Sequence, residues 1–167
     1  ELSDWSILGD WIGKQVRPDW HLPWGPMPFI RGLPDNISFA AKKALTAAAA
    51  NYGCPLLWVE NHTVDPPLEQ NSQGEWQPPV GGWQGILQFN RRELLQRYSD
   101  LAPKGQVDLI VIGCPQASLE EIRRTAAEVR KYLKIGQRIP DNRLWLFTSG
   151  ENYQLASQED SISVLEE

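Results

Sequence analysis

The chemistry-bearing residues of this chain gather on one stretch, residues 107–121, VDLIVIGCPQASLEE. An apolar, β-branched run over 107–112 reads as a buried parallel strand, and Gly113-Cys114-Pro115 breaks it. Ser118-Leu119-Glu120-Glu121 then has the form of a capping box. In such a box Ser118 accepts from the backbone N–H of Glu121, whose carboxylate reaches back to the cap. Cys114 therefore stands just past the carboxyl end of a strand, ahead of a helix N-terminus. Open α/β sheets bind ligands at that end, and the unpaired N–H groups there favour a thiolate or another anion. The same position also suits a small buried thiol that only packs, because free cysteine behaves as a hydrophobe. Both readings stand at this point, as they do for Ser118, whose hydroxyl serves a cap as readily as a ligand.

The elements that must hold these residues alternate between helix and strand. Leu2, Trp5, Leu8, Trp11, Ile12 and Val16 recur at helical spacing, predicting an amphipathic helix over 3–16. Gly9 and Gly13 lie on one side of it and permit close approach by another backbone. Five prolines between Pro18 and Pro34, with Trp20, Trp24 and Phe29, mark an irregular but ordered arm. Residues 36–52 predict a helix with Gly53 at its C-terminal cap, and its face of Ala41, Ala44 and Ala48 implies tight packing on a sheet. A strand is expected over 55–60, then a long polar loop over 61–82. A third strand is expected over 86–89, and a helix over 91–99 opened by Asn90. The helix after Ser118 should bury Ile122, Ala126, Val129 and Leu133 and turn Glu120, Arg123, Glu128 and Arg130 outward. A fourth strand over 143–147 ends in Thr148-Ser149-Gly150 before a short helix over 152–157, and the terminal SQEDSISVLEE reads as frayed. The expected fold class is α/β, with a mainly parallel sheet of about four strands and helices packed on it. Its divisions are 1–34 for the helix and arm, 35–157 for the α/β domain and 158–167 for the tail.

Composition narrows the function classes. With 167 residues and 41 % hydrophobic content the chain can bury a real core, as one domain or a large piece of one. A net charge of −5 without a basic block argues against nucleic acid as partner. No run of about 18 apolar residues exists to span a membrane, and no leader opens the chain. Two cysteines, Cys54 and Cys114, make no disulfide framework, which points to a reducing cytoplasm. Eight tryptophans imply a face that another domain or subunit covers.

The ordering of these segments resembles the middle of an aconitase X catalytic subunit, a family that includes cis-3-hydroxyproline dehydratases and the large subunit of phosphomevalonate dehydratase. The family segment LLGYWIGK falls on residues 7–14, ILGDWIGK, and its PVI.GL on Ile30-Arg31-Gly32-Leu33. The KALGAA of its Ala-rich helix falls on residues 43–48, KALTAA. VALFHIVGVTPEA falls on residues 54–66, CPLLWVENHTVDP, and VTTSR on residues 146–150, LFTSG. GCPxxSLEE, the most specific piece, falls on Gly113 to Glu121. The family subunit is more than twice as long, so this chain resembles an internal segment of it.

The resemblance implies a hydro-lyase that removes water from a hydroxy acid-like substrate. An iron or iron–sulfur centre serves as Lewis acid on the leaving hydroxyl, in the full-length protein only. It makes Cys114 a metal ligand and sets Thr63, Asp65, Gln116, Ser118 and Ser149 against substrate. A small swivelling subunit or domain is the implied partner. Three positions depart from the pattern: Gln116 and Trp58 replace histidines, and Gly150 replaces an arginine, which removes acid/base groups and an anion clamp. A diverged, non-catalytic relative that binds a ligand or protein is therefore the alternative. Cys54 falls on an apolar family position and reads as core. Cys114 and Ser149 are expected to end neighbouring parallel strands on the same edge of the sheet.

Overall fold

The computed structural model describes residues 2–16, 27–65, 68–78, 83 and 85–167. The chain divides into two compact units, Glu1–Ala102 and Pro103–Glu167. That division falls inside the segment expected to form a single α/β domain.

In the first unit, helix α1 spans Leu2–Gln15 and α2 spans Phe39–Ala50. Ser38 starts α2 by accepting from the Ala41 N–H at 3.2 Å, three residues later than the sequence suggests. The buried stripe of α2 is Ala41, Leu45 and Ala49, one residue every turn. It packs on α1 and not on a sheet. An added Cβ at Gly9 would lie 2.1 Å from the Leu45 carbonyl oxygen and 3.0 Å from the Ala48 methyl. At Gly13 it would lie 2.7 Å from the Ala49 carbonyl oxygen. Two glycines one turn apart thus let the helix backbones touch, as their spacing indicated. Leu8, Ile12 and Leu45 form the core there, with Trp5, Trp11, Val16, Ile30, Leu33 and Phe89 packed around them.

The sheet of this unit is small. Strand β1, Phe29–Ile30, pairs in parallel with β2, Trp58–Val59, through Phe29↔Trp58 and Ile30↔Val59. With α2 between them they make a minimal βαβ unit. Most of the arm expected over 18–34 lies outside the described residues. The loop expected over 61–82 carries an antiparallel hairpin, β3 (Glu69–Gln70) with β4 (Trp76–Gln77). Its turn is closed by Asn71, whose side-chain oxygen accepts from the backbone of Gln73 and Glu75, each at 2.9 Å. Residues 86–89 form no strand: Ile86 is 84 % exposed, and among the described residues no strand pairs with this stretch. Phe89 instead anchors this stretch by packing on Trp11, with ring centroids 5.2 Å apart.

Helix α3, Arg91–Leu101, begins where Asn90 accepts from the Arg92 N–H at 2.8 Å. It carries Arg97, a buried cation that ties the three helices together. The Arg97 guanidinium pairs with Asp10 of α1 and, at 3.2 Å, with Asp100. Asp10 also accepts from the Tyr52 hydroxyl at 2.8 Å, just past α2. That hydrogen bond and burial push the Tyr52 hydroxyl above its ordinary pKa.

The second unit is a parallel ribbon with three helices. Strand β5, Ile110–Ala117, pairs with β6, Leu144–Thr148, through Ile110↔Leu144, Val111↔Trp145, Ile112↔Leu146 and Ala117↔Thr148. Helix α4, Leu119–Leu133, links them, and α5 (Gly150–Gln158) and α6 (Ser161–Glu166) follow. Ala117, Ile122 and Ala156 form the buried centre, flanked by Ile112, Leu119, Leu146, Ile162 and Leu165. Ala126 is buried as expected and Val129 and Leu133 are half-buried. The tail expected to fray is helix α6, because Ile162 and Leu165 reach this core and Val164 is buried. Arg123 adds a two-pronged ion pair to Glu159, with Nε 2.6 Å from the carboxylate, and holds that carboxyl below its usual range.

Two features differ from the sequence expectation of a four-stranded, buried parallel sheet. Among the described residues the strands form three separate two-stranded ribbons. The apolar run before Cys114 is not buried either: Val111 is 54 % exposed, and its neighbours Trp145 and Phe147 are about half exposed. Helices cover one face of the β5–β6 ribbon and leave the other open. An apolar run reports only that both faces are compatible with burial, not that both are covered.

Two substitutions test the first unit. Gly9→Ala should force α1 away from α2 and lower stability by about 1–3 kcal/mol, the usual cost of overpacking. Gly105→Ala, with nothing within 4 Å of the added methyl, is the control. Arg97→Met should cost about 3–5 kcal/mol by leaving Asp10 without its cation. Hydrogen exchange should report that loss in α1, α2 and α3 while α4 to α6 keep their protection.

Candidate functional site

The ends of β5 and β6 set the geometry of the candidate site. Because Ala117 is opposite Thr148, the next residues, Ser118 and Ser149, leave the ribbon side by side, and each caps a helix. Ser118 makes the full capping box. Its hydroxyl accepts from the Glu121 N–H at 3.3 Å and donates to the Glu121 carboxylate at 2.9 Å, which also accepts the Ser118 N–H at 2.7 Å. The anion position at the start of α4 is thus already filled by Glu121. Ser149 is engaged less completely: its oxygen accepts from the Asn152 N–H at 3.2 Å, and its hydroxyl proton is left to donate. Unlike the start of α4, that of α5 has no carboxylate hydrogen-bonded to its cap, although Glu151 lies in its first turn.

Two residues that the sequence reading passed over hold these ends together. The Ala117 carbonyl accepts from the Thr148 hydroxyl at 2.6 Å and from the Asn152 side chain at 3.3 Å. The strand end, the second cap and the first turn of α5 are locked as one piece. The spacing Ser149-x-x-Asn152 carried a hint of this, since a polar residue three after a cap sits over the helix start.

Cys114 does not lie past the strand end. Strand β5 runs on through it to Ala117, and Cys114 sits in the irregular part of the ladder between Ile112 and Ala117. The cause is Gly113, at φ +135, whose backbone lies so close to β6 that a Cβ would be 2.5 Å from the Phe147 carbonyl oxygen. Only glycine meets both demands. The bond from Cys114 to Pro115 is cis. Cys114 and Gln116 are both exposed on this segment. So Ser118 and Ser149 follow the paired ends of β5 and β6, while Cys114 and Gln116 lie before the end of β5, which corrects the expectation that Cys114 ends its strand beside Ser149.

Thr63 and Asp65 belong to the first unit, in the turn after β2. The Thr63 hydroxyl oxygen accepts from the Val59 N–H at 2.9 Å, a structural role, and Asp65 is exposed in a left-handed conformation. The same turn is tied to the one before α2 by Asn61 donating to Asp35 at 3.1 Å and by His62 at 2.8 Å from the Pro34 carbonyl. Cys54 is buried, with burial pushing its thiol pKa up, so it is core as expected.

Among the described residues no three His, Cys, Asp or Glu side chains come together to hold a metal ion. Nor, among them, is any helix long and apolar enough to cross a membrane. Comparisons with protein families, with curated proteins and with solved structures find no match to this chain.

The two cysteines should separate cleanly by reactivity. A thiol reagent such as an aromatic disulfide is expected to modify one equivalent rapidly in the native protein, at Cys114, and the second only in denaturant. Cys114→Ser should remove the fast phase and Cys54→Ser should leave it intact.

Proposed function

We propose that this chain is the central part of an aconitase X-type hydro-lyase, acting on a hydroxy acid-like substrate such as a hydroxyproline or phosphomevalonate. What supports the reading is that Ser118 and Ser149 follow the paired ends of β5 and β6, with Cys114 four residues upstream of Ser118 on β5. These come from the GCPQASLEE and LFTSG segments that carry the family resemblance.

In this reading the open start of α5 and the Ser149 hydroxyl bind a substrate carboxylate or phosphate. Asn152 and Thr148 hold that start at a fixed offset from the strand carrying Cys114. Gln116 orients substrate by hydrogen bonding and moves no proton, since an amide has no useful acid/base pKa. Ser118 stabilises the helix that frames the site. An iron centre of this type supplies Lewis-acid help to a leaving hydroxyl, but it needs several thiolates. Among the described residues Cys114 belongs to no group of three potential ligands, so this chain's residues do not fit a complete iron site, and no step is routed through one. The remaining ligands, and the small swivelling subunit or domain, come from outside this segment. The compartment in this reading is the cytoplasm.

A second reading is a non-catalytic relative that keeps the ribbon and its caps for binding. It is favoured by Gln116, Trp58 and Gly150 in place of two histidines and an arginine. Gly150 is the first residue of α5, so its substitution removes a cation from the very helix start that would clamp an anion.

Cys114→Ser in the intact enzyme decides between them. The enzyme reading expects loss of iron and of turnover with a melting midpoint nearly unchanged, because the replacement is close to isosteric at an exposed position. Retained iron and turnover in that variant would overturn it. The 167-residue chain alone, reconstituted anaerobically with iron and sulfide, should bind no stoichiometric cluster. A full cluster by absorbance and iron counting would contradict the division of ligands described above.

A further inference from the structure

We draw no further inference here: the strongest candidate, the open apolar face of the β5–β6 ribbon built from Val111, Trp145 and Phe147, carries none because nothing in the structure shows what covers it.

Discussion

The close approach of the Gly113 backbone to Phe147 is the constraint on which the candidate site depends. At that point β5 and β6 are nearer than a side chain allows, and the chain takes a dihedral angle that other residues resist. The ladder slips there and resumes at Ala117↔Thr148. Without the slip, Cys114 would alternate into or out of the ribbon like any strand residue. With it, Cys114 and Gln116 lie in the slipped segment just before Ser118, and the Ala117 carbonyl fixes the two caps' spacing through Thr148 and Asn152.

How much of this was legible in the sequence depended on how local the cause was. Ser118 and Glu121 announce their capping box because both partners lie within one turn, and the structure has both hydrogen bonds. The burial of Ile122 and Ala126 followed from helical spacing, and the glycines of α1 from their four-residue interval. The strand over 86–89 failed because an extended apolar run becomes a strand only when a neighbour supplies hydrogen bonds, and sequence does not name the neighbour. The helix α6 was missed for the complementary reason: Ile162 and Leu165 have little pattern in six residues, and their order comes from a core contributed by α4, α5 and β6. Among the candidate site residues, Cys114, Gln116, Ser118 and Ser149 belong to the second compact unit, with Cys114 inside β5 and not past its end, while Thr63 and Asp65 fall in the other.

The two units rest on different physics. The first is a helix pair brought to backbone contact by glycine and alanine and then fastened by buried charge. The second is an amphipathic ribbon whose helices protect one face, with the Arg123–Glu159 ion pair fastening α4 to the C-terminal end of α5. A parallel pair of strands is ordinarily covered on both sides. Here α5 and α6 add Ala156, Ile162 and Leu165 to the core on the covered face.

The Arg97 cluster has a consequence in time. Asp10 and Arg97 are 87 residues apart. At synthesis rates of roughly 5–20 residues per second, Asp10 waits some 4–17 s for its partner. Contacts of α1 with α2 involve residues up to Ala50, 47 positions ahead of Arg97, so the glycine-mediated pair can form before the guanidinium arrives. The spacing lets α1 and α2 pair first, with the Tyr52 hydroxyl as the first partner of the Asp10 carboxylate, and leaves to α3 the cation that balances its charge.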